Sequence, residues 1–425
     1  MKIRIKHRPQ NELFCWILLC GPFLIAPLMQ FFGFPGSVKY ILDAVWLLLL
    51  LTMVFKNKRH ISSSARFLLR LALVFFLFTV VNYVVNFQSP LYYLWGFRNN
   101  FRGYVFFFAV IYYFNENSVE DALSFLDKIF YINAALMIVQ FLVLGYKQDY
   151  LGGIFGVEKG CNSYTNIFFC IMTVINYIRY CNGEQRLCKT TLNIFLMLAL
   201  SAMAELKFFY VEFVILMIAG TLVTRFSWKK LGIILAGFVA FIIGYNIFVS
   251  VFPDINLTFN ELMQYATSEK GYTASGDLNR LNFISTVNSG LLPTLRKQIL
   301  GLGLGNCDYA AGIDALTTPF SRQYGWTHYG WMSTTFMYLE NGLVGIIFFF
   351  GFFVSIFISS LMMRKTGNVN SMYCQIAALC AIAAIMNGFY NISLRIESGY
   401  MMYFILAIPW CSSCNSQLQE EEYES

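Results

Sequence analysis

Apolar runs close to membrane thickness recur along this 425-residue chain, and they limit its fold more than any motif does. A helix needs about 20 mostly apolar residues to cross the hydrocarbon core of a bilayer. Candidate spans are Leu13–Phe32, Val38–Phe55, Phe67–Phe87, Gly103–Phe114, Leu123–Gly145 and Tyr164–Tyr180. They continue with Leu192–Ala204, Phe208–Thr224, Leu231–Phe252, Gly342–Met363, Met372–Asn391 and Gly399–Pro409. That is about twelve, some of them short. Composition agrees: 58% of residues are hydrophobic and 12% charged, against about 25% charged in a soluble domain. The opening MKIRIKHR is basic and leads into an apolar run without a small-x-small cleavage site, so it reads as the flank of a first span.

Basic residues orient the spans. KIRIKHR, Lys56–Arg66, Arg179–Lys189, Arg225–Lys230 and Met363–Lys365 fall on alternate gaps. With twelve spans they share one side with both termini, and the positive-inside rule makes that side cytoplasmic. The formal charge of +7 is scattered over these loops and gives no reason to expect nucleic acid. Cys15, Cys20, Cys170, Cys374 and Cys380 sit in apolar runs, where cysteine serves as a small hydrophobe. The CSSC at Cys411–Cys414 lacks a thioredoxin-like context.

The expected fold is an all-α integral membrane protein with about 12 transmembrane helices and one large outer-face loop containing short helices. Residues 1–252 would hold spans one to nine and 253–331 the loop. Spans ten to twelve fall in 332–412, and 413–425 form an acidic cytoplasmic tail. The loop is too long for an ordinary connection, and its Phe, Tyr, Leu and Trp predict that it folds. LTFNELMQYATS and LNRLNFISTVNSGLL have helical spacing. No internal repeat or low-complexity tract is visible.

On this topology the remaining polar residues gather outside. In LYYLWGFRNNFRGY, Arg98 and Arg102 lie four apart and would share a helix face. They read either as snorkelling arginines in an interfacial Tyr/Trp belt or as a phosphate cradle of planar guanidinium forks. Glu205, Lys207 and Glu212 interrupt apolar sequence. Charge at membrane depth marks function by default, while a tight turn pairing Glu205 with Lys207 is the plain alternative. The outer segment carries Arg280, Arg296, Lys297 and Arg322, and His328 stands among Tyr324, Trp326, Tyr329 and Trp331. These aromatics suit either a sugar-binding surface or an interfacial belt. No DxD-like carboxylate pair calls for a metal and no cofactor is implied; guanidinium groups can stabilise a leaving pyrophosphate.

The stretch QILGLGLGN (298–306) suggests a phosphate loop. It lacks the GKS or GKT of a P-loop, and no convincing strand–loop–helix unit surrounds it. It reads instead as a turn permitting positive φ, a hinge that brings Arg280 and His328 over one pyrophosphate.

Together, WGFRNNFRGY, GGIFGVEKGCNSYTN, AELKFF, SGDLNRLNF with GLGLGN, and THYGWMSTTFMYLENGLVG make the chain resemble the O-antigen ligase and polymerase superfamily. The resemblance covers most of the chain and implies a glycosyltransferase-C-like membrane enzyme of the bacterial cytoplasmic (inner) membrane. Its substrate would be an oligosaccharide on undecaprenyl pyrophosphate, and its partners a chain-length regulator and a flippase. Arg280 matches the family's loop arginine, His328 its outer-loop histidine, and Arg98 or Arg102 the arginine beneath the loop. Tyr329 stands where the family often has Asn.

The implied reaction is inverting transfer without a metal. Arg98, Arg102 and Arg280, with Lys207 and Arg322 nearby, would hold the pyrophosphate while an acceptor hydroxyl attacks C1. The base is left open among His328, Glu205 and Glu212; histidine, with an ordinary pKa of about 6.5, suits the task. RNNFRGY and AELK bring the chain closer to capsule-type polymerases than to O-antigen ligases. A flippase or secondary transporter is the rival from another class, and such proteins often carry repeats with broken helices at midplane.

Overall fold

The computed structural model describes residues 8–56, 61–224, 228–253, 263, 267–268, 271–273, 276–310, 312–367 and 369–424, and beyond Cys411 only the backbone. The described residues are helical apart from turns, loops and one isolated bridge between Tyr272 and Leu278. The helix expected over LTFNELMQYATS, the first basic residues and most of the basic gaps at Lys56–Arg66 and Arg225–Lys230 fall at or beyond the edges of the described residues.

The long helices are α1 (Gln10–Gln30), α2 (Tyr40–Lys56), α3 (Ser63–Val85), α4 (Pro90–Tyr113), α5 (Glu116–Leu142), α6 (Asn162–Cys181), α7 (Leu187–Met203), α8 (Lys207–Val223) and α9 (Trp228–Val251). The long segment between α9 and the next long helix follows with short helices α10 (Phe283–Gly290), α11 (Leu295–Leu300) and α12 (Pro319–Tyr324). Then come α13 (Ser333–Thr366), α14 (Ser371–Tyr390) and α15 (Gly399–Glu424). Every apolar segment picked out above falls on one of these helices. Among the described residues seven helices are long and apolar enough to cross a membrane: α1, α2 with the turn before it, α3, α5, α9, α13 and α14. The acidic tail continues α15 as helix.

Local chemistry starts several of them. Ser62 and Asn115 cap α3 and α5 by accepting from Ala65 N and Ser118 N, and Pro90 opens α4, where its missing N–H costs no helical bond. Helix α4 carries Arg98, Asn99, Asn100 and Arg102 near its middle and is buried without a break from Asn100 to Ile111. A helix buried all round belongs in the middle of a bundle, and α4 packs against α15, α2 and α1. Asn100 and Arg102 are thereby carried into the interior.

The bundle has two chemically different ends. At one, Arg8 meets Asp121, Arg179 meets Asp127, Arg364 donates to the Val223 carbonyl, and Trp410 donates to Ser64. At the other, α2, α4, α6, α13 and α15 begin and α14 ends.

There α13 is broken. Gly342 has φ 61° and ψ −158° inside it. The glycine-rich loop Gly301–Gly305 supplies the missing partners: Leu302 N donates to Leu339 O at 2.8 Å and Gly303 N to Glu340 O at 2.9 Å. Asn82 of α3 adds a donor to Glu340 O at 3.2 Å. Buried backbone that leaves the helical pattern persists only where other groups satisfy it. The close approach also explains a glycine, since a Cβ at Gly305 would stand 1.9 Å from Tyr92 O of α4.

Candidate functional site: a charged cleft at one end of the bundle

A cleft of about 680 Å³ opens at this second end. Its floor comes from α4 (Arg98, Asn99, Arg102) and from the α14–α15 connection (Arg395, Glu397), and its walls from the segment between α9 and α13 (Asp308, Tyr309, Trp326, His328, Trp331). Lys39, Tyr40 and Trp95 complete one edge.

Two ion clusters lie in the floor. In the first, Arg98 grips Asp43 of α2 with both arms of its fork, Nε–Oδ1 at 2.7 Å and Nη2–Oδ2 at 2.6 Å. Arg102 donates to Glu397 at 2.8 Å and lies 3.7 Å from Asp43. Tyr164 of α6 donates to the other Glu397 oxygen at 3.1 Å. Burial alone would raise the Glu397 carboxyl, but Arg102 and Arg98 outweigh it and bring it down to about 2. In the second, Nη2 of Arg395 lies 3.4 Å from Asp308 and 3.3 Å from Glu340. Asn99 donates to Asp308 at 3.1 Å, while Asn100 and Gly305 N each donate to Glu340 at 3.0 Å. Burial pushes the Asp308 carboxyl up, against the pull of Arg395. Three arginines thus face four carboxylates, an excess of one negative charge before Lys39 is counted.

His328 stands on the wall in the left-handed region at φ 52°. Its Nδ1 meets Asp277, and its ring stacks on Trp331 with centroids 4.1 Å apart. An Asp accepting from Nδ1–H leaves the lone pair on Nε2, the arrangement a histidine base requires. Exposed rings of Trp326 and Tyr309 share the cleft, and aromatic faces of this kind can stack on sugar rings.

Of the aromatic residues singled out from sequence, Trp326, Tyr329 and Trp331 line the cleft; of the charged residues and the histidine, it gathers Arg98, Arg102 and His328. The others lie outside its lining. Arg280 donates from Nε to Tyr390 O at 3.2 Å, its guanidinium over that ring. Arg322 donates to Asp314 O at 3.3 Å. Glu205 and Lys207 pair at 2.9 Å in the turn between α7 and α8, with Glu205 at φ 56°. Glu212 is fully buried in α8, accepting from Asn166 at 2.9 Å and Asn387 at 3.0 Å, with the Cys170 thiol at 3.3 Å. The glycine loop therefore links a different pair from the one expected: it carries Asp308 into the cleft beside Arg395.

The sequence singles out none of Asp43, Asp308, Arg395 and Glu397, and Glu340 only as the acidic residue of the Glu-x-Gly-like helix end in MYLENGLVG. Arg395 and Glu397 did leave a signal, two opposite charges in the short gap NISLRIES between apolar runs. Asp43 and Glu340 are single carboxylates near the ends of apolar runs and stand out far less. No protein-family model matches this chain, and no curated protein sequence matches it either.

Proposed function

We propose that the chain is a metal-independent, inverting glycosyltransferase that joins polyprenyl-pyrophosphate-linked oligosaccharide repeat units at the outer face of the bacterial cytoplasmic membrane. In this reading all twelve apolar helices cross the bilayer, both termini are cytoplasmic, and the cleft opens outside. The bundle's two ends support that topology: the described basic residues Arg8, Arg179 and Arg364 sit at the end opposite the cleft, as positive-inside placement requires.

One observation carries the reading: a single cleft joins buried arginines, a histidine held by an aspartate, and exposed aromatic faces. The arginines suit a pyrophosphate leaving group, since fixed guanidinium groups stabilise charge as it develops. The aromatic faces suit a sugar. His328 Nε2 takes the proton of the acceptor hydroxyl, whose oxygen bonds to C1 as the bond from C1 to the pyrophosphate oxygen breaks. The electron pair leaves with the pyrophosphate, and attack opposite the leaving group inverts C1. Glu205 and Glu212, which do not line the cleft, have no part in this step.

The test uses purified protein in lipid nanodiscs with a lipid-linked repeat unit. Glycosidic bond formation is expected, reduced about 10²-fold or more in His328→Ala while that variant stays folded. Unchanged turnover in His328→Ala removes the histidine from the mechanism. Transfer of preformed glycan to a different acceptor makes the enzyme a ligase. Movement of glycan across a vesicle wall without bond formation makes it a flippase.

A further inference from the structure

The three cleft arginines are not equally free to meet a ligand. Every guanidinium nitrogen of Arg98 already donates: Nε and Nη2 to Asp43, Nη1 to Asn99 at 2.6 Å. Arg395 differs. It is 4% exposed, it lines the cleft, and its Nη1 has no hydrogen-bond partner among the described residues. Its plane is fixed by the Phe336 ring, 3.9 Å from the guanidinium carbon, and its Nη2 by Asp308 and Glu340. Arg102 shows the same pattern more weakly: it is 2% exposed and its Nε is unpartnered.

A buried charged donor without an acceptor carries a desolvation penalty, and each such group calls for an explanation. An arriving anion removes that penalty, and a planar fork held in place by stacking loses little freedom on binding. We propose that Arg395, with Arg102 beside it, is the main contact for the phosphate oxygens of a pyrophosphate-bearing ligand, and that Arg98 is a brace holding α4 to α2. The neighbouring carboxylates compete with an anion for these arginines, and of the two that meet Arg395, Asp308 is the one that also lines the cleft. Burial pushes that carboxyl up, which weakens this competition.

This inference deepens the glycosyltransferase reading and rests on it for the identity of the ligand, but its test does not require turnover. Calorimetry on the full-length protein in detergent, with inorganic pyrophosphate as titrant, should show binding that weakens about tenfold in Arg395→Lys, the loss of one charge-assisted hydrogen bond. The loss in Arg98→Lys should be smaller. If Arg395→Lys does not fold, Phe336→Leu keeps every charge and loosens the fork, and it too should weaken binding. Repeating the titration with a polyprenyl pyrophosphate in micelles separates the sources: tighter binding assigns the site to a lipid headgroup, equal binding to the free anion. Wild-type affinity in Arg395→Lys, or a greater loss in Arg98→Lys, overturns the inference. Anion binding without glycosidic bond formation leaves it standing and removes the polymerase reading.

Discussion

Two groups of buried carboxylates occupy this bundle, and they are built in opposite ways. At the cleft, Asp43, Asp308, Glu340 and Glu397 are met by Arg98, Arg102 and Arg395. Deeper, Glu212 receives neutral donors, Asn166, Asn387 and Cys170, and has no cation among its described contacts. The first group borders open space and keeps two guanidinium donors unpaired. The second ties α6, α8 and α14 together. Opposed charges left partly unsatisfied beside a cleft mark a place for a ligand, whereas one carboxyl ringed by amides pins helices. Both sites satisfy the rule that ionisable residues in a membrane bundle are functional by default, and only their partners tell them apart.

The sharpest way to break this contrast is to remove one cleft carboxylate. Glu397→Ala leaves Arg102 buried with only the more distant Asp43, 3.7 Å away, in place of its 2.8 Å partner, and loss of one partner of a buried pair costs up to about 3–5 kcal/mol. Denaturant unfolding in detergent measures it; a loss below about 1 kcal/mol, the range of exposed ion pairs, would show that the cluster is effectively solvated. Next, Gly305→Ala forces a left-handed φ of 83° on alanine and drives a Cβ toward Tyr92 O. Backbone strain alone costs about 1–3 kcal/mol, and the clash adds to it. That variant should also weaken pyrophosphate binding, because the loop carries Asp308 and donates to Glu340.

The Glu212 site predicts a different ranking. Glu212→Ala strands two amide donors, for about 1–3 kcal/mol. Glu212→Gln can reuse them after an amide flip and should cost under about 1 kcal/mol. A large loss of glycan transfer in Glu212→Gln, with stability unchanged, would make Glu212 a chemical group and erase the contrast. Acid offers a milder probe. Because Glu397 is depressed from 4.5 to about 2 in the folded protein, its contribution is complete above about 4.5. It is lost as pH falls toward 2. The midpoint of thermal unfolding should fall over that window in the wild type and less steeply in Glu397→Gln. Smallest of all, Glu205→Gln breaks a partly exposed pair in a turn and should shift stability by at most about 1 kcal/mol.

The sequence by itself determined the helices, because runs of apolar residues near membrane length leave the backbone few other ways to satisfy its hydrogen bonds. It also picked out Arg98, Arg102 and His328, since cations and a histidine stand out among apolar neighbours. Only the tertiary structure decided which charges share a site. Arg280 and Arg395 look alike in sequence, yet one lies over Tyr390 and the other faces a cleft. Asp43 and Asp308 are 265 positions apart (308 − 43 = 265) and come together through the arginines of α4 and the α14–α15 connection. Pairing of charges depends on distance and burial, and neither is written in the order of residues along the chain.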